Sequence, residues 1–180
     1  PVFALSLDLA LRSGWAFGAY CPKEIEVTIP GLCVKTHVAV MYWGILNTTG
    51  TVDTVLDEGK RLHQFVLGIG ELLRQYVPSC IFFESAVRST WQRRLQRTGA
   101  AQATMAALRG CLLETAYRHG AIIPVEIKPE NWQPNVIGRV KREQGKRNSI
   151  EAARQRLGIV ENDADVTDAC LILEYGLMTT

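Results

Sequence analysis

Long hydrophobic runs are missing from this 180-residue chain: the longest, such as Val38 to Leu46, fall far short of the roughly 20 apolar residues a membrane-spanning helix needs. The first residues show neither the charged segment nor the cleavage pattern of a secretory leader. A soluble, intracellular, cytoplasmic protein with no membrane attachment is therefore expected. The five cysteines (Cys21, Cys33, Cys80, Cys111, Cys170) are odd in number and contain no close pair, which excludes a disulfide framework and a zinc knuckle. Cys80 and Cys170 sit in apolar runs and read as small core residues. The three histidines (His37, His63, His119) have no mutual spacing that suggests a metal site or a catalytic pair. No Ser/His/Asp set and no Walker loop is present. The net charge of +2 is too small to indicate nucleic acid by itself. What remains, with 47% hydrophobic and 21% charged residues, is the composition of one ordinary globular domain spanning residues 1–180.

Within that composition the stretch Phe3 to Gly14, FALSLDLALRSG, stands out. Its apolar residues run nearly unbroken to Asp8, as in a strand buried on both faces. An isolated ionised carboxylate there is prohibitively costly, so Asp8 either caps the following turn or is paired or bound to a cation. Ser79 to Glu84, SCIFFE, repeats the pattern: a short run without alternation that ends in an acid, with Phe82 and Phe83 leaving no polar face.

Between these strands the turn Arg12-Ser13-Gly14 leads to a second extended run, Trp15 to Tyr20, which completes a hairpin. Cys21 to Thr36, with two prolines and a glycine, reads as an irregular excursion before a third strand, His37 to Asn47. Asp57 to Tyr76 places Leu62, Phe65, Val66, Ile69, Leu72, Leu73 and Tyr76 at helical spacing. A helix between two strands favours parallel pairing through a right-handed crossover, so Asp8 and Glu84 would end adjacent parallel strands. Ligand sites of open α/β sheets lie at such ends. Gly99 to His119 reads as a small-residue helix capped by Gly120, and Ala121 to Ile127 as a fifth strand.

Two segments concentrate positive charge. Arg88, Arg93, Arg94 and Arg97 surround Trp91, a combination suited to phosphates and an unstacked base, and equally to a solvated surface. Arg139, Lys141, Arg142, Lys146, Arg147, Arg154 and Arg156 outnumber the nearby acids Glu143 and Glu151, which suggests a grip on phosphates. A helix from about Arg147 to Leu157 follows. The last helix, within Glu161 to Leu177, carries Asp165 and Asp168 three residues apart on one face, with Asn162 or Asp163 as its cap. Asp163 fits the helix dipole; Asp168 lies a turn deeper among core positions.

Four carboxylates brought together repel one another, and such a cluster persists only around something cationic. Oxygen donors without Cys or His indicate Mg²⁺ or Mn²⁺, and two such ions would suit an in-line phosphoryl transfer. The order strand-Asp, hairpin, helix, strand-Glu, helix, strand, Asp-x-x-Asp-Ala helix resembles the RNase H-like (retroviral integrase) superfamily, and specifically the RuvC-type Holliday junction resolvases. YWGILN, DEGKRLHQF, IFFE, NW followed by G-x-x-K, and D-x-x-DA resemble the phage-type RuvC-like proteins.

That resemblance implies an RNase H-like α/β fold: a five-stranded mixed sheet, three strands antiparallel and two parallel, with helices on both faces. It implies that Asp8, Glu84, Asp165 and Asp168 are catalytic, metal-binding acids, the site expected to hold two Mg²⁺ (or Mn²⁺) ions, and that Lys146 is the basic residue before the last helices. The expected activity is Holliday junction resolution, an endonuclease reaction of DNA recombination and repair in a bacterial or phage-infected cell. Two features depart from the pattern: the long Cys21 to Thr36 excursion, and the absence of an aromatic at Val87, which leaves Trp91 to wedge into the junction. Cleavage of RNA/DNA hybrids or flaps, or junction binding without cleavage, are the alternatives. Actin-like sugar kinases also start with a strand-Asp but need a second lobe that this length does not hold. A nearly two-fold symmetric junction cut twice fits a homodimer, with the Gly99 to His119 helix favoured over the Asp57 to Tyr76 helix as its surface.

Overall fold

β1 (Phe3–Asp8) has almost no polar side, and its inner residues Ala4, Leu5, Ser6 and Leu7 are all fully buried. It therefore takes the middle of the sheet. The computed structural model describes residues 2–10, 12–48, 55–85, 99–120, 122, 124–138 and 144–180. In chain order β1 is followed by β2 (Arg12–Ile29), β3 (Leu32–Asn47), α1 (Val55–Tyr76), β4 (Cys80–Glu84), α2 (Gly99–Arg118), β5 (Pro124–Ile127), α3 (Pro129–Val136), α4 (Gly145–Leu157) and α5 (Ala164–Thr179). The sheet is five-stranded in the order β3-β2-β1-β4-β5. β1 pairs antiparallel with β2 and parallel with β4, and β4 pairs parallel with β5. This is the mixed sheet expected from the sequence.

Alternation sorts each strand onto two cores. Leu5, Leu7, Phe17, Ile81 and Phe83 join Phe65, Ile69 and Leu73 of α1 and Leu108 and Leu112 of α2. Ala4, Ala16 and Phe82 join Trp132 of α3, Ala153 and Leu157 of α4, and the apolar side of α5. Helices thus cover both faces, and the most apolar helix, α5, is buried at ten of its positions. Among the described residues no helix is long and apolar enough to cross a membrane.

The segment Cys21 to Thr36 is not an irregular excursion. β2 and β3 continue through it as one long ribbon, and β3 begins at Leu32 rather than His37. Ile25, Val27 and Ile29 are half-buried while Glu24, Glu26 and Thr28 are exposed, the period-2 pattern of a strand with one covered side. The punctuation is local: Pro22 lies where the ladder slips between Tyr20 and Ile25, and Gly31 turns the chain at a φ of 78°. A second difference is α3, which starts at Pro129, a residue suited to a helix's first position, and buries Trp132 completely. The described part of the fifth strand is short, Pro124–Ile127.

Candidate active site

Strand alternation brings the first two acids to the same side. In β1 the residues Ala4, Ser6 and Asp8 share a face, and in β4 Phe82 and Glu84 share one. Ala4 and Phe82 both pack in the α5-side core, so Asp8 and Glu84 belong to that face. The register pairs Leu7 with Phe83, and each acid is the next residue on its strand. Both are half-buried at the carboxyl ends of neighbouring parallel strands.

Two close contacts set α5 against this end of the sheet. The Ser6 hydroxyl, buried in β1, lies 2.7 Å from the carbonyl oxygen of Ala169 and donates to it. Gly14, the register partner of Asp8, meets the helix start so tightly that a Cβ there would sit 1.8 Å from the Asp165 carbonyl oxygen. Any side chain at residue 14 would push α5 away. These contacts place Asp165 beside the β1–β2 end and Asp168 one residue before the carbonyl that Ser6 holds. Asp168 is half-buried, and its Oδ1 is shielded from solvent with no hydrogen bond to that one atom among the described residues, although the residue has an interaction of its own.

Glu84 and Asp165 have partners that were not among the expected site residues, although Trp132 belongs to the NW motif. The indole Nε1–H of fully buried Trp132 donates to Glu84 Oε2 at 2.9 Å, which fixes the carboxylate's rotamer. The guanidinium of Arg12 donates from Nη1 to Asp165 Oδ2 at 2.6 Å and to Asp163 Oδ1 at 3.0 Å, and from Nη2 to Asp163 Oδ2. Asp163 is also the helix cap, accepting the Asp165 backbone N–H at 3.0 Å. The Arg12 hydrogen bonds hold the Asp163 carboxyl below its ordinary range and push the Arg12 pKa upward. The only local signal for Arg12 was its place in a turn between two carboxylate-bearing segments. For Trp132 it was a large aromatic among prolines and polar residues.

Asp8, Glu84, Asp165 and Asp168 are thus carried to one end of the sheet by four elements' worth of packing, and their oxygen-only chemistry fits a hard divalent cation. They are not already gathered around one: among the described residues no three His, Cys, Asp or Glu side chains stand together as a metal-holding group. Asp165 is held instead by the guanidinium of Arg12, which it shares with Asp163. Of the basic residues, Lys146 is exposed in the first turn of α4, while Arg156 is committed to buried Glu174 by a bridge of 2.9 Å and is not free to grip a phosphate. Arg88, Trp91, Arg93, Arg94, Arg97, Arg139, Lys141 and Arg142 lie outside the described residues. His37 and His119 donate from Nδ1 to the backbone carbonyls of Cys21 and Thr115, as structural histidines do.

No protein-family model and no curated protein matches the sequence. Solved structures do. RuvC of Thermus thermophilus superposes with a TM-score of 0.70 at 15% identity, covering 99% of this chain and 98% of that one. The T. thermophilus RuvC in complex with Holliday junction substrate gives 0.69 at 13% identity, with 99% and 98% covered. The yeast mitochondrial Holliday junction resolvase Ydc2 gives 0.54 at 16% identity over 99% of this chain and 80% of that chain. The fold is therefore that of RuvC along nearly the whole length, as the order of motifs led one to expect.

Proposed function

We propose that this chain is a divalent-metal-dependent endonuclease of branched DNA that resolves Holliday junctions by paired, symmetric nicks. The observation that carries the reading is the arrival of Asp8, Glu84, Asp165 and Asp168 at one end of a sheet whose fold is shared with RuvC. One similar structure holds a Holliday junction substrate. The four acids would hold one or two Mg²⁺ or Mn²⁺ ions, which when bound supply Lewis-acid neutralisation of the phosphoryl group being cut. The chain's own contribution is orientation: Trp132 holds Glu84, Ser6 and Gly14 seat α5, and the sheet ends fix Asp8. Because carboxylates repel phosphates, the backbone must be gripped elsewhere. Arg88, Arg93, Arg94 and Arg97, with Arg139, Lys141, Arg142 and Lys146, are proposed for that task, and Trp91 for stacking where the helices open. A homodimer of this single nuclease domain would offer two sites for the two nicks.

The test is one gel. A four-way junction, a flap, a linear duplex and an RNA/DNA hybrid are incubated with Mg²⁺ or with chelator, using wild type and Asp8→Asn. Symmetric nicks in the junction that need both Mg²⁺ and Asp8 are expected. Cleavage confined to the hybrid would replace the reading with an RNase H-type activity, and tight junction binding without cleavage would leave a binding module.

A further inference from the structure

We propose that Arg12 is the resident counter-cation of Asp165, holding it while no metal is bound and handing it over when a divalent ion arrives. The inference rests on the reading of the four acids as a metal site, and it adds a residue to that site that neither the motifs nor the fold comparison names.

The bridge is asymmetric. Arg12 gives Asp163 an N–H from each of its two terminal nitrogens, a forked contact, but gives Asp165 one, shared from Nη1. Asp163 cannot leave with the metal, because its Oδ1 also accepts the Asp165 backbone N–H as the cap of α5. If Asp165 turned away, Arg12 would therefore still be paired. Release removes one hydrogen bond and leaves a forked ion pair in place, so the exchange is energetically shallow.

The arrangement is built rather than incidental. Ser13, buried at the start of β2, donates to the Ala10 carbonyl at 2.6 Å and accepts the Ala10 N–H at 3.1 Å, which pins the turn next to Arg12. The same turn follows Asp8, and Gly14 beyond it touches the Asp165 backbone. Arg12 itself is 42% exposed, so its side chain has room to move. In the absence of metal the guanidinium offsets the neighbouring charges of Asp163 and Asp165; with metal, the ion takes over Asp165.

Calorimetric titration of the full chain with Mn²⁺, without DNA, tests this independently of cleavage. Arg12→Gln should bind Mn²⁺ about 3- to 10-fold more tightly than wild type, the range expected for losing one competing charge-assisted contact. Arg12→Lys keeps the charge but not the fork, and should fall close to Arg12→Gln. If Arg12→Lys matched wild type, the effect would be through-space charge and the handover would be wrong. Unchanged or weaker binding by Arg12→Gln would overturn it as well. Should Arg12→Gln fail to fold, the Arg12→Lys titration decides alone. Asp8→Asn serves as the site control: Mn²⁺ binding by wild type that survives this change, or no Mn²⁺ binding at all, sinks the metal-site reading itself rather than the role of Arg12.

Discussion

The two faces of β1 are made by alternate residues of one six-residue strand, yet they are built to different ends. Phe3, Leu5 and Leu7 face the α1 and α2 side, where they join an apolar core. Ala4, Ser6 and Asp8 face α5, where the packing begins with a small residue, passes through a hydroxyl that grips the Ala169 carbonyl, and ends in an acid. β4 repeats the split, with Ile81 and Phe83 on the apolar side and Phe82 and Glu84 on the other. One face is apolar along the whole strand; the other grades from core to acid along its own length. The grading explains how acids can sit on a central sheet at all, since the two cores supply the stability against which their desolvation is set.

The contrast breaks most sharply at neighbouring residues. Asp8→Asn should lower junction cleavage roughly 1,000-fold or more with little change in melting temperature, because the amide has the shape of the half-buried carboxylate without its charge. Parallel cleavage and melting measurements check this, and full activity would remove the proposed site. Phe83→Ala, next to Glu84 but facing the other way, should do the reverse. It removes a fully buried ring and should destabilise the fold by about 3–5 kcal/mol in urea unfolding, with the folded fraction still competent at the acids. A Phe83→Ala protein of normal stability would show that the α1 and α2 face is not the load-carrying core.

How much of this was legible follows from the same faces. The unbroken apolar runs of β1 and β4, each ending in an acid, read correctly because strands buried on both sides need no alternation. The ribbon from Cys21 to Thr36 was hidden because Pro22, Pro30 and Gly31 interrupt it, and its half-covered alternation spans too few residues between those breaks. α3 was hidden by Pro129 and Pro134 in a helix of only eight residues. Arg12 and Trp132 escaped for a different reason. Their importance lies in partners more than 45 positions away in the chain, Glu84 for Trp132 and Asp163 and Asp165 for Arg12, and no local pattern encodes such pairings.

Trp132→Phe sharpens the comparison with a smaller effect, since it keeps an aromatic ring in the buried slot while removing the Nε1–H donor to Glu84 and part of the ring volume. Turnover should fall about 10-fold with little change in junction KM, the pattern of a positioning residue. Unchanged turnover in the folded Trp132→Phe protein would reduce Trp132 to a packing residue.

The smallest effect is expected at Asp163, where the structural and functional roles of the α5 start can be separated by pH. Asp163→Asn retains an oxygen to accept the Asp165 backbone N–H, so the cap survives, but it loses the ion pair with Arg12. The pair is partly exposed, with side-chain accessibilities of 42% and 25%, and such pairs contribute little. Its pH dependence is nonetheless defined. Arg12 lowers the folded-state pKa of Asp163 below the unfolded value, so the ionised form is favoured by folding. That contribution is complete above the unfolded pKa, near 3.9 for Asp, and is lost as pH falls through the lowered folded value. Wild type should therefore melt only about 1–2 °C above Asp163→Asn from about pH 5 to pH 8, with the two converging below about pH 4. The check is a series of melts across that range at low salt. A difference that widened on acidification would mean that Asp163 is held by something other than Arg12, and the bridge would lose its claim to order the start of α5.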